Sequence, residues 1–400
     1  MLFLGFFLPT NSTFYLPVGP VLFSVRELAF MALPIINILC RPVGHTFKAT
    51  GKLRVVILLF LLSVGITELI LKTVVYDQSF LYGFKSLRVG FPLFSTLLLF
   101  YQGIKPDIYK VWRILLWAIS ISVVLSIISV FVWLPIYYNI ESGEDVLRAS
   151  NGRIFNANSS FGIIAIYLLF RNRTKWYSQG RLFKITMLLA IVSLIISFNR
   201  TYLALMAVEF LFLAWSDFSR GKFVRVMAIV AVSLSAVFVT YSTISEIRRQ
   251  VDKRIISVIS SDGSIYESTI RNNRDVIYEG IVHRVLEGYW VFGLPYDVGI
   301  FHKTPRGGKD LSFSSTDTSL INILLRYGMI SFLLFISIIA ALVRKKYGMT
   351  FLIVLFVLAS LNIDSLMAHN TIFFIIITLI VFQSSYFRFG SKTISEYVCN

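Results

Sequence analysis

Between Val55 and Val75 the chain reads Val-Val-Ile-Leu-Leu-Phe-Leu-Leu-Ser-Val-Gly-Ile-Thr-Glu-Leu-Ile-Leu-Lys-Thr-Val-Val, a mostly apolar run whose only charged residues are Glu68 and Lys72. A helix that crosses the hydrocarbon of a bilayer needs roughly 20 mostly apolar residues, because every backbone polar group must be satisfied inside the segment. Comparable windows recur at 19–40, 86–104, 112–136, 156–171, 184–199, 201–216, 226–244, 318–342, 349–363 and 370–387. The pattern predicts an all-α, polytopic transmembrane bundle of about 11–12 helices. Hydrophobic residues make up 56% of the 400 and charged residues 15%, with a mean hydropathy of +0.76, more apolar surface than a soluble core can hide. Met1 to Leu8 is apolar but too short to span and is interrupted by Pro9, Thr10, Asn11 and Ser12. It lacks the basic start of a signal peptide and is expected to form a partial or re-entrant helix.

A net charge of +17 raises nucleic acid as a partner, so the decisive point is how the basic residues are distributed. One set of connections holds Arg41, Lys48, Lys52 and Arg54, then Lys105, Lys110 and Arg113, then Arg171, Arg173, Lys175, Arg181 and Lys184. The same set continues with Arg220, Lys222, Arg225, Arg344, Lys345, Lys346, Arg388 and Lys392. The alternate short connections hold only Lys72, Lys85, Arg88, Arg148, Arg153 and Arg200. Basic residues that separate by membrane side follow the positive-inside rule rather than forming a nucleic-acid patch. The first set is therefore expected in the cytoplasm with the C-terminus, and no nucleic acid is expected as a partner. Cys40 and Cys399 then share the cytoplasmic side, where no disulfide is expected.

This alternation divides the chain into membrane helices over 1–244, a large near-neutral outer loop over 245–316, the last three membrane helices over 317–390, and a cytoplasmic tail over 391–400. Long loops translocate largely regardless of charge. Within the loop, Ile247, Val251, Ile255 and Ile259 recur at helical spacing, as do Ile270, Ile277, Ile281 and Val285, predicting two amphipathic helices over the membrane. Gly288, Gly293 and Pro295 signal turns, and Lys303 to Ser315 is expected to be a strap. No internal repeat of the kind that marks many transporters is present.

Charged residues at membrane depth are expensive and so are candidates for function; here they are Arg26, Glu27, Glu68, Glu209 and Arg326. The plainer role for Arg26, Glu27 and Glu68 is a buried ion pair or a hydrogen-bonded helix contact. At the outer surface three arginines gather where basic residues are scarce: Arg88, Arg153 just before Asn156 and Asn158, and Arg200 in Ser197-Phe198-Asn199-Arg200. The guanidinium fork matches phosphate oxygens bidentately and stays charged, which suits a lipid diphosphate. Headgroup anchoring is the alternative for each of them.

In the loop, Arg271 and Arg274 share one helical face, and His283, nine positions after Arg274, falls on the opposite side. The pair suits a phosphate or simply a solvated face. His283 and Arg326 are carried as additional site candidates. Asp317, in Ser315-Thr316-Asp317-Thr318-Ser319-Leu320, suits a helix N-cap, and its carboxylate also suits proton acceptance at the membrane surface. No zinc-type Cys/His set, nucleophile elbow or phosphate-binding glycine loop is present, and neither a metal nor a cofactor is expected.

The many helices, the large loop before the last three, Ser197 to Arg200 followed by Thr201-Tyr202-Leu203, and Asp317-Thr318 with Gly328 resemble the bacterial O-antigen polymerases and the related ligases. The ligases carry histidine where this chain has Asp317, so the polymerases are the better match. The resemblance implies an inner-membrane glycosyltransferase acting at the periplasmic face. It would move a growing glycan from undecaprenyl diphosphate to a lipid-linked repeat unit. It also implies that Arg200, Arg271 or Arg274, with Arg88 and Arg153, stabilise the diphosphate, and that Asp317 orients or deprotonates the acceptor hydroxyl. The expected partners are the lipid-linked oligosaccharides and the bilayer, with a chain-length regulator as a candidate. An O-antigen ligase, a lipid-linked oligosaccharide flippase and a scaffold subunit remain as alternatives.

Overall fold

The computed structural model describes residues 15–18, 21–39, 51–102, 108–132, 134, 138–139, 144–145, 162–163, 165–166, 181–196, 202, 204–209, 242, 248, 274–299 and 319–344. Among these, helix dominates. Strand is confined to two short antiparallel pairs, β1 (Tyr15–Val18) with β2 (Val21–Ser24) and β3 (Tyr138–Asn139) with β4 (Glu144–Asp145). The expected span at 19–40 is corrected by the first pair. Gly19 and Pro20 separate two runs rich in aromatic and branched residues, which pair from Tyr15 opposite Ser24 to Val18 opposite Val21. Helix α1 starts only at Val25 and runs to Leu39.

The window at 55–75 is helical throughout, as α2 (Gly51–Ile66), a π-helical turn (Thr67–Leu71) and α3 (Lys72–Tyr76). Asp77 ends the helix in the left-handed conformation, at φ 53°, with its N–H returned to the Lys72 carbonyl. Helix α4 (Phe80–Gln102) begins six residues before the expected span at 86–104. Ser79 explains the early start, since its hydroxyl accepts from the Tyr82 N–H at 3.4 Å as an N-cap. Lys85 and Arg88, expected at a connection, consequently lie inside α4. The windows at 112–136, 184–199 and 318–342 correspond to α5 (Ile108–Phe131), α6 (Arg181–Ile196) and α8 (Ser319–Arg344). The second expected loop helix is α7 (Arg274–Leu286). The first loop helix apart from Arg248, the span at 226–244 apart from Ser242, the Lys303 to Ser315 strap, Met1 to Leu8 and the spans at 349–363 and 370–387 lie outside the described residues.

An aromatic knot joins α2, α4 and α8: Phe60 meets Phe94 at 6.2 Å and Phe335 at 5.7 Å, and Phe94 meets Tyr327 edge-on at 5.8 Å. One turn further along, the Ser63 and Ser331 hydroxyls bond at 2.9 Å. Helix α1 packs on α4, and α5 packs on α6 through a buried Ser120–Thr186 hydrogen bond of 2.7 Å.

Polarity is inverted in the α2–α3 column. Val55, Leu59, Leu62, Ile66, Ile70 and Val74 form one exposed stripe, while Glu68 and Lys72 are fully buried. At 1.5 Å per residue the stripe is about 28 Å long, close to the thickness of a bilayer's hydrocarbon. A continuous exposed apolar surface of that extent marks contact with lipid or with another protein. Among the described residues, two helices, Leu53–Tyr76 and Leu320–Ala341, are long and apolar enough to cross a membrane.

Candidate functional site

The buried charges on α2 and α3 meet a break in α8. Gly328 has φ 78° and ψ 174°, which no helix accommodates, so the two halves of α8 part there. In a continuous helix the Met329 N–H would donate to the Leu325 carbonyl. Here that bond is opened and both halves find partners in the turn that follows α7: Met329 N–H donates to Val291, and Leu325 accepts from the Leu294 N–H. Glycine is required on both sides of the junction. A side chain on Gly328 would strike the Val291 carbonyl, and one on Gly293, at φ 82°, would strike the Arg326 carbonyl.

Helix α7 supplies the hydrophobic part of the contact. Ile281 is buried with Leu294 and Leu325, and Val285, Tyr289, Val298 and Ile321 pack around them. Thus the predicted periodicity of Ile277, Ile281 and Val285 does produce a helix, with Ile281 turned onto α8. Arg284 staples the turn, donating to the Gly299 carbonyl at 3.0 Å and to Glu287 at 2.7 Å. That hydrogen bond holds the Glu287 carboxyl below the usual carboxylate range.

Beneath the junction, the Lys72 ammonium donates to Glu68 Oε1 at 2.6 Å and to the Arg326 carbonyl at 2.6 Å. Gln78 ties the same elements together. Its amide nitrogen donates to the Glu68 carbonyl at 3.3 Å, and its oxygen accepts from the Tyr296 N–H at 2.7 Å. Tyr296 stacks on Tyr82 of α4 at 5.6 Å. Gly83 of α4 lies against the Glu68 carbonyl, too close for a side chain. Between these elements is a small cleft lined by Ser86 of α4, by Asn322, Leu325 and Arg326 of α8, and by Leu294, Pro295, Tyr296 and Val298 of the turn. Ser86, Asn322 and Arg326 are its polar lining residues beside apolar walls, and its interior has room for about one water molecule.

The sequence candidates fall out unevenly. Glu68 and Arg326 come together here, joined by Lys72, which had been assigned to an exposed connection and is instead fully buried. Its i, i+4 spacing from Glu68 was the available signal. Arg88 of α4 stands 3.6 Å from Glu27 of α1, the ion-pair role considered for Glu27. His283 lies 3.2 Å from Glu287 on α7. Glu209 is fully buried. Arg153, Arg200, Arg271 and Asp317 lie outside the described residues. Arg274 opens α7 and Arg26 lies in α1; the side chains of both are likewise outside the description. Gln78, Ser86 and Asn322 were missed; of these, only Asn322 carried a signal, as a buried amide one turn before Arg326 on the same helix face.

No protein-family model matches this chain, and no curated protein matches it either.

Proposed function

We propose that this chain is an integral-membrane glycosyltransferase of the O-antigen polymerase kind. It transfers a growing glycan from undecaprenyl diphosphate to a lipid-linked repeat unit at the periplasmic face of a bacterial inner membrane. In this reading the chain is a polytopic bundle with residues 245–316 outside and the C-terminus in the cytoplasm. The exposed apolar stripe and the buried Glu68–Lys72 pair support a lipid-solvated bundle with a polar interior.

One observation carries the enzymatic reading. The segment before the last membrane helices closes onto α8 at Gly328, the glycine of the Asp317-Thr318 pattern, beside a cleft that contains Arg326. A loop segment, 274–299, seated on the helices of a scaffold beside a charged residue is the arrangement by which loops position substrates. Arg326 joins Arg88, Arg153, Arg200, Arg271 and Arg274 as a candidate contribution to diphosphate binding, from α8.

The reaction is a single displacement. The acceptor hydroxyl oxygen forms a bond to the anomeric carbon as the bond to the diphosphate oxygen breaks. Asp317 takes the hydroxyl proton, and the departing diphosphate keeps the electron pair. The anomeric configuration inverts. Preorganised arginines that meet charge developing on the leaving group lower such barriers by several kcal/mol, and a positioned base contributes typically about 100- to 10,000-fold.

The test is the lipopolysaccharide ladder of cells lacking the gene, complemented with wild type, Arg200→Ala, Arg326→Ala or Asp317→Asn, with membrane levels of each protein measured. The expected result is a single capped repeat unit in the null and in the variants, and a full ladder with wild type. Absence of any capped unit in the null would replace the polymerase with a ligase or flippase. A normal ladder with Asp317→Asn would remove the general base.

A further inference from the structure

We infer that Lys72 is a positioning residue that holds the broken helix α8 and the turn 291–296 in register, and so sets Arg326 at the cleft. The functional meaning of this inference rests on the reading above; the structural claim stands apart from it. In a continuous helix the Arg326 carbonyl would accept from the N–H of Ile330. At the Gly328 break the Lys72 ammonium donates to it instead, from a different helix and 254 positions away in sequence. A cation at that position also complements the negative end of the first half of α8.

Three further features make this a built contact. Lys72 follows directly on the π-helical turn, a rare element that shifts helical register and is frequent at functional sites. Glu68, within that turn, holds the ammonium from the other side at 2.6 Å. Gln78, just past the end of α3, then reaches the Tyr296 N–H, so the short stretch from Glu68 to Gln78 grips both the helix break and the docked turn. Removing one partner of a buried ion pair leaves an uncompensated charge, whereas removing both does not. That difference separates positioning from mere charge balance.

The experiment uses the full chain in lipid nanodiscs and compares wild type, Lys72→Met, Glu68→Gln/Lys72→Met and Lys72→Arg by amide hydrogen exchange over 291–299 and 325–332. Loss of a charge-assisted hydrogen bond that closes a local unit should speed exchange about tenfold or more. Positioning predicts faster exchange in Lys72→Met and equally in the double variant, with protection largely kept in Lys72→Arg. Recovery of wild-type protection in the double variant would show that Lys72 only balances Glu68 and would overturn the proposal. If Lys72→Met does not assemble, the comparison of the double variant with Lys72→Arg decides the matter in the same way. Cells carrying the double variant are expected to show a shortened glycan ladder. Lost protection with a full ladder would leave the positioning role intact and remove Arg326 from the enzymatic reading.

Discussion

At the scale of single residues, two glycines and one lysine determine the junction. Gly328 was visible in the sequence as part of a spaced pattern, and Gly293 as a turn residue. Their shared purpose was not visible, because each is required by a carbonyl distant in sequence: Val291 for Gly328 and Arg326 for Gly293. Gly328→Ala should lower stability by about 1–3 kcal/mol, since a positive φ alone costs an L-residue about 1–2 kcal/mol and the new methyl also meets a backbone oxygen. The measurement is the thermal midpoint of the detergent-solubilised protein. An unchanged midpoint would mean that the turn does not seat at Gly328. Lys72 shows the opposite failure of sequence reading. A lysine at the end of an apolar run reads as a surface residue, and only a carbonyl freed by a break in another helix gives it a reason to be buried.

Among the elements, hydrophobic windows located helices well and their ends poorly. Among the described residues the windows at 55–75, 86–104, 112–136 and 184–199 hold uninterrupted helix and that at 318–342 holds helix on both sides of Gly328, because helical backbone largely satisfies itself and needs no partner to be legible in a sequence. The start of α4 was displaced by the Ser79 cap and the start of α1 by strand pairing at Val21–Ser24, both local hydrogen-bonding choices that hydropathy does not register. Contact between elements is where a lipid-solvated bundle differs from a water-soluble one. Lipid is as apolar as leucine, so helices associate through packing and a few polar links. In the proposed membrane bundle, the Ser63–Ser331 bond between α2 and α8 is one such link. A double-mutant cycle with Ser63→Ala and Ser331→Ala should give a coupling near 0.6 kcal/mol, the average for such pairs within membranes. A coupling above about 2 kcal/mol would instead place that bond in a soluble-type core.

For the molecule as a whole, charge asymmetry predicts orientation, and thiol labelling tests it. A Leu286→Cys variant, at a position 81% exposed at the end of α7, should react with an impermeant maleimide added outside spheroplasts. The native Cys40 and Cys399, assigned to the cytoplasm, should react only after the membrane is opened. The reverse pattern would invert the topology and overturn the proposed reaction at the periplasmic face. The sequence by itself determined that the described part of this chain is mostly helical and that it holds segments long and apolar enough to cross a bilayer. It also placed a helix over Ile277, Ile281 and Val285, before Gly328. Those properties follow from local periodicity and composition. Only the tertiary structure decided that Glu68, Lys72, Gln78 and Arg326 meet, that the turn after α7 replaces a missing helical hydrogen bond in α8, and that Arg88 stands beside Glu27. Each of those facts joins positions far apart in the chain through a backbone group or charge whose need for a partner arises only once the helices have packed.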